Sequence, residues 1–401
     1  MRKRQSSTSW ILAALCSALL VACGTTRPPA EECPACASCT PCASTTPATA
    51  AKPLRAAAWS ELPGWADDDL AAAWPAFLNS CRSLVNRPPW KAVCEDARAL
   101  KAPATPAIRR FFETRLQPWR VVNADGSSSG LVTGYYEPLL RGSRTRSAPY
   151  LQPVLGVPND LLIVDLGTAQ PEVKNLRLRG RLQGNKIVPY YSRAEIVSRE
   201  KEFAGRTLLW VDDAVELFFL QVQGSGRVKL SDGSTTRLAY ADQNGHAYQS
   251  IGKLLIERGE LSAEQATMPG IKQWARANPG RLPELLNANP SYVFFREQPL
   301  KPGDNDGPTG AFGVPLSAER SIAVDPRFVP LGAPVFLATS QPEANAPLRR
   351  LVLAQDTGGA IRGAVRADFY YGFGDKAGQQ AGRMKQPGQM WVLLPPGAAT
   401  K

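Results

Sequence analysis

Residues 354–374 read AQDTGGAIRGAVRADFYYGFG. The apolar stretch Leu351–Ala354 runs into Asp356 and a Gly-Gly pair, and the next run ends at Asp368 beside Phe369, Tyr370 and Tyr371. Short apolar runs broken by Gly or Pro are the pattern of strands joined by tight turns. The same pattern continues outward at Phe312–Pro315, Ser321–Val324, Val335–Leu337 and Trp391–Leu394. The C-terminal third therefore reads as β structure.

Upstream the pattern is mixed. Residues 66–84 place Leu70, Trp74, Phe77, Leu78 and Cys81 at spacings of three and four behind three Asp, which predicts a helix with an acidic N-terminus. Ala92–Leu100 and Pro106–Arg115 read as further short helices. From Trp119 the chain turns β-rich, and Asp125-Gly126 predicts a hairpin ending in GYYEP (134–138). Between 140 and 240 the runs PVLGVP, DLLIVDLG, KIVPYY and TLLWVDD read as strands, with a hairpin turn at Asp232-Gly233. Glu195–Glu202 and Val215–Val222 fit helix or strand equally. Tyr248–Arg258 and Ala263–Arg276 read as helices, and Arg281–Arg296 as a helix stopping before Asn289-Pro290 and then a strand. With 35 Pro and 33 Gly in 401 residues, the chain is mainly β with some helices rather than a helical bundle.

The N-terminus reads as a leader. Arg2, Lys3 and Arg4 precede an apolar run from Trp10 to Ala22, too short to span a bilayer. Leu20-Val21-Ala22-Cys23 resembles a bacterial lipobox, with Cys23 lipidated at the mature N-terminus and Gly24 in place of the Asp that would retain it in the inner membrane. The expected location is the outer membrane, lipid-anchored and facing the periplasm. Residues 23–57 read as a tether rich in Cys, Pro, Ala and Thr. Its C-x2-C-x2-C-x2-C run (Cys33, Cys36, Cys39, Cys42) has metal-site spacing but lacks the large apolar residues that would build a dry cavity, so no metal and no cofactor are expected. Cys81 and Cys94 flank a short loop and are expected to pair in an oxidising compartment.

The inventory narrows the chemistry. His246 is the sole histidine and stands in DQNGHAY; there is no G-x-S-x-G, HExxH, Walker A or G-x-G-x-x-G after a strand. The net charge of +12 is spread along the chain without a basic run, which argues against nucleic acid and suits an anionic polymer. Carboxylate chemistry remains, the kind that cleaves glycosidic bonds. Asp325 and Asp356, at the ends of apolar stretches, could stand in a cleft or form turns, the turn reading being favoured for Asp325 before Pro326. Asp368, set among aromatics that raise an acid's pKa and stack on sugars, fits a turn role less well.

Eight blocks carry a family resemblance: GYYEP, PYYSRAEI (189–196), FFLQVQGSGRVKL (218–230), QNGHAYQSIG (243–252), NPSYVFF (289–295), GPTGAFGVPLSAERSIAVDP (307–326), PLGAPVFL (330–337) and AQDTGGAIRGAVRADFYYGFG. In this order, from about Trp59 to Leu394, they resemble the membrane-bound lytic murein transglycosylase A family. The C-terminal part also resembles a smaller module named for three aspartates, here Asp325, Asp356 and Asp368. The resemblance implies a double-psi β-barrel domain formed by 58–138 with 293–397, an inserted β-rich domain at 139–292, and a glycan groove between them. It implies Asp368 as the catalytic acid with Asp356 beside it. Cleavage of the MurNAc–GlcNAc bond would leave 1,6-anhydroMurNAc ends without using water. Tyr135, Tyr136, Gln223, Ser225, Arg227 and Asp325 are the expected substrate-binding residues. The expected partners are peptidoglycan glycan strands, the outer-membrane lipid anchor and other murein synthases or hydrolases. Two alternatives stand beside this: a hydrolytic muramidase pairing Asp368 with Asp356 or Glu137, and a wall-binding lipoprotein without activity.

Overall fold

The computed structural model describes residues 52–166, 168–169, 178–300, 307–342 and 346–398. The expected leader, Cys23 and the Cys33–Cys42 run lie outside the described residues. After a short strand β1 (Leu54–Ala56), Asp69 caps α1 (Leu70–Leu84) by accepting from the Ala72 N–H at 3.4 Å. The apolar stripe of α1 is buried at Leu70, Trp74, Phe77 and Cys81 and half-buried at Leu78, and α2 (Trp90–Ala99) and α3 (Thr105–Arg115) pack on it. Trp74, Phe77, Phe111 and Phe112 stack there with centroids 5.1–6.0 Å apart. A disulfide joins Cys81 of α1 to Cys94 of α2, with Cα atoms 5.3 Å apart.

β2 (Gln117–Val121) and β3 (Gly130–Glu137) follow. The chain then leaves for a second sheet through Pro138. That sheet uses β4 (Leu139–Ser143) and β5 (Gln152–Leu155). A three-stranded sheet of β6 (Leu162–Val164), β7 (Leu178–Gln183) and β8 (Lys186–Pro189) comes next, then α4 (Arg193–Ser198) and β9 (Thr207–Val211). The segment 215–222, undecided in sequence, is helical: Asp213 caps α5 (Ala214–Gln223) with bonds from Val215 and Glu216, and Gly224 ends it at φ 81°. β10 (Ser225–Leu230) and β11 (Thr235–Gln243) form the hairpin expected at Asp232-Gly233. Helices α6 (Ile251–Glu257), α7 (Met268–Ala277) and α8 (Leu282–Asn287) lead to β12 (Val293–Pro299). The strand order is β12-β11-β10-β4-β9-β5. Because β12 bonds to β11 along Val293–Pro299, the second sheet continues past the return expected at 293.

The C-terminal part supplies β13 (Ser321–Val324), β14 (Pro334–Ser340), β15 (Pro347–Asp356), β16 (Arg366–Phe373), α9 (Gly374–Arg383) and β17 (Lys385–Leu394). The first sheet runs β1-β2-β17-β14-β15-β13-β16-β3, and β17 also bonds to β3. The pairing path from β17 through β16 and β3 thus returns to β17. Here the expected hairpin is corrected. The turn at 123–127 forms, but β2 and β3 do not pair. Strand β17 lies between them, its first half on β3 and its second half on β2. A ten-residue strand from the far end of the chain outcompetes the local partner because it buries Trp391, Val392 and Leu393 in the main core. Phe312–Pro315 is likewise a turn, not a strand; Phe312 and Val314 are buried there, and the Gly310 N–H donates to the Val314 carbonyl across the turn. No helix among the described residues is long and apolar enough to cross a membrane.

Candidate active site

The three aspartates stand where three strands of the first sheet end or meet. Strand β13 lies between β15 and β16, and Ala323 is opposite Asp356 on one side and Asp368 on the other. Asp368 is in turn opposite Thr133 of β3. Directly paired residues share a face, so Asp356, Ala323, Asp368 and Thr133 form a row across four strands. With a spacing of ~4.8 Å between strands, the two carboxylate-bearing Cα atoms are about 10 Å apart. Ala323 is the residue between them in the row, and the Tyr135 side chain reaches across from β3 to Asp356.

Each carboxylate is held. The Thr133 hydroxyl donates to Asp368 Oδ1 at 2.6 Å, and Arg366 Nη2 donates to Thr133 Oγ1 at 2.8 Å. Since Thr133 has one proton and its acceptor side is taken by Arg366, that proton is committed to Asp368. The Tyr135 hydroxyl donates to Asp356 Oδ2 at 3.1 Å and the Ala311 N–H to Oδ1 at 2.9 Å. Burial raises the Asp368 pKa to about 6; the Thr133 bond and the Arg366 charge restrain the rise, and the charge of Asp356 adds to it. Burial also raises Asp356, opposed by the N–H groups of Ala311 and Thr357 and by Tyr135. An acid protonated to about pH 6 beside a second carboxylate can donate a proton and take one back. Tyr135 and Tyr370 back the row with ring centroids 5.2 Å apart, packed with Leu316, Ala323 and Ile361.

The other expected residues divide. Tyr135 stands beside the row and bonds to Asp356. Tyr136, on the opposite face of β3, packs in the main core and points its hydroxyl at Met268 Sδ, 3.5 Å away. Gln223 Oε1 accepts from the Tyr136 N–H at 3.1 Å. Ser225 opens β10, half-buried, opposite Ala239. Arg227 donates to Glu137 Oε2 at 2.8 Å, and Arg237 to Oε1 at 2.6 Å, so the fully buried Glu137 is clamped where β3 hands over to β4. That removes Glu137 as a base for water. Asp325 is buried and ion-paired to Arg327 at 2.6 Å, and also accepts from the Gly363 N–H at 3.0 Å. The Arg327 guanidinium and these N–H bonds pull its pKa down to about 2. Asp325 thus fixes a turn and the 361–363 loop rather than joining the row.

Sequence reasoning passed over Thr133 and Arg366. Both were within reach of strand alternation, since Thr133 and Tyr135 lie two apart on β3, as Arg366 and Asp368 do on β16. Among the described residues no three His, Cys, Asp or Glu side chains gather as metal ligands.

Comparison with known proteins points the same way. Residues 131–296 match the family described as MltA specific insert domain, and residues 320–394 match the 3D domain. The membrane-bound lytic murein transglycosylase A of Escherichia coli K12 is 34% identical over 303 residues, covering 72% of this chain and 73% of that protein. The crystal structure of MltA from Neisseria gonorrhoeae (monoclinic form) superposes with a TM-score of 0.74 at 39% identity, covering 86% of this chain and 93% of that one. That of E. coli MltA with bound chitohexaose superposes with a TM-score of 0.61 at 30% identity, covering 82% and 90%.

Proposed function

Since this chain belongs to the membrane-bound lytic murein transglycosylase A family, we propose that Asp368 is the single acid and base of its reaction. The protein is a peptidoglycan lytic transglycosylase. Protonated Asp368 donates to the oxygen linking MurNAc to GlcNAc, and C1 gains oxocarbenium character as that bond breaks. The carboxylate then takes the proton of the MurNAc C6 hydroxyl, whose oxygen closes on C1. The products are a GlcNAc hydroxyl and a 1,6-anhydroMurNAc end, and no water is consumed.

The observation that carries this reading is the Arg366–Thr133–Asp368 chain. It commits one carboxyl oxygen as acceptor and leaves Oδ2 to carry the proton. Burial keeps Asp368 protonated, and the charge of Asp356, held by Tyr135 and Ala311, adds to that effect and favours a cationic C1. The returning strand circuit is taken as the expected double-psi β-barrel, and the two sheets on either side of Pro138 as the expected two domains. Lipidation at Cys23 and an outer-membrane location belong to the same proposal, on the lipobox pattern alone.

Purified peptidoglycan digested by the wild type and by Asp368→Asn, with products weighed by mass spectrometry, tests the reaction. Anhydro products lack the water that hydrolysis adds. Loss of one general acid costs about 10² to 10⁴ in rate, and more when the same group is also the base. Folded Asp368→Asn releasing anhydro ends within tenfold of wild type would overturn the assignment.

A further inference from the structure

Among the described residues Phe373 is the one Phe or Trp left exposed, 46% of its surface open to solvent. It ends β16, the strand of Asp368. The register between β16 and β3 shifts after Tyr370, so Phe373 comes opposite Glu137 instead of following the alternation from Asp368. Gly372 and Gly374 flank it at φ 103° and 84°, a backbone region that L side chains rarely adopt. Two glycines and a register shift thus turn a large apolar ring outward on the face that carries Thr133, Tyr135 and Asp368. An exposed ring gains nothing for the fold by this arrangement.

The ring is also backed. The Arg227 guanidinium stacks on it, 3.8 Å from the centroid. That guanidinium is itself buried and tied to Glu137, which Arg237 holds from the other side. A fixed cation behind an aromatic ring holds the ring in place. The buried carboxylate and its two arginines therefore serve as the rigid support of an exposed aromatic surface. Thr133 faces Asp368 and Glu137 faces Phe373, so four residues of β3 separate the acid from the ring, or about 13 Å at ~3.3 Å per residue.

We propose that Phe373 is a platform on which one pyranose ring of the glycan stacks, at a subsite removed from the bond that is cut, with Arg227 and Glu137 as positioning residues behind it. The proposal rests on the lytic transglycosylase reading and adds one binding site to it. Chitohexaose is the probe, titrated calorimetrically into the full-length protein carrying Asp368→Asn to prevent turnover. In that background Phe373→Ala and Phe373→Leu should each weaken binding about tenfold, since neither presents a ring face, while Phe373→Trp should bind as the parent does. On saturation with chitohexaose the Trp at 373 should change its emission. Apart from its contact with Arg227 the ring is open to solvent, so Phe373→Ala should lower the thermal unfolding midpoint only slightly and leave the protein folded. Chitohexaose affinity of Phe373→Ala within twofold of the parent overturns the platform. Wild-type turnover of peptidoglycan is measured in parallel. If that turnover is normal while Phe373→Ala binds normally, the platform alone falls; if wild type yields no anhydro ends, the reaction reading falls and takes the platform with it.

Discussion

Replacing Asp368 by Asn should make the protein more stable at neutral pH while abolishing its activity. The folded protein holds this carboxyl at about 6, against an ordinary value of 3.8. Between those values the folded state binds a proton that the unfolded state has lost, so stability falls as pH rises through the window. The penalty is absent below about 3.8 and complete above about 6. Roughly two pKa units at 1.36 kcal/mol each bring it to at most about 3 kcal/mol. Asn keeps the shape, and its amide oxygen still accepts from the Thr133 hydroxyl. Urea and thermal unfolding of both proteins at pH 8, 6 and 4 measure the effect. Asp368→Asn should melt roughly 5 °C higher at pH 8, with the gap shrinking at pH 6 and closing at pH 4. A variant no more stable than wild type at pH 8, or a gap that ignores pH, would refute the claim that burial holds Asp368 protonated. The acid assignment would then lose its physical basis.

Four further outcomes are expected. Thr133→Val removes a hydrogen bond to the ionised form and should raise the Asp368 pKa by about one unit, moving the high-pH limb of the activity profile upward by the same amount; Thr133→Ser should restore it. Glu137→Gln takes the shared carboxylate from between Arg227 and Arg237 and should cost about 3 kcal/mol in urea unfolding, with no such loss for Arg141→Gln, whose ion pair to Asp212 has an exposed arginine. Replacing Cys81 and Cys94 together by Ser opens a loop of sequence separation 13 and should cost about 3 kcal/mol, read as a lower unfolding midpoint with peptidoglycan turnover per folded molecule unchanged. Cys23→Ser should leave the protein unlabelled after growth with a radioactive fatty acid; retained label would remove the lipobox reading.

Local pattern carried a good deal of this protein. The helical stripe from Leu70, the capped turn at Asp232-Gly233 and the Asp-terminated strands follow from side-chain periodicity and turn chemistry, which act over a few residues and need no partner. The absence of a nucleophile elbow or a second histidine steered the chemistry to carboxylates, and the motif order pointed to the family. The pairing of strands could not be read this way. Nothing near Asp125-Gly126 says that residues 385–394 will come between β2 and β3, because that choice is made by apolar area buried far along the chain. The roles of the three aspartates were decided at the same level. Each sits in a similar local context, yet Asp325 meets Arg327 and Gly363 and stays ionised, while β13 sets Asp356 and Asp368 on either side of Ala323 and burial drives their pKa values up. Composition and motif inventory point to carboxylate chemistry; which carboxylate is held protonated depends on the desolvation and neighbouring charge that only the assembled sheet provides.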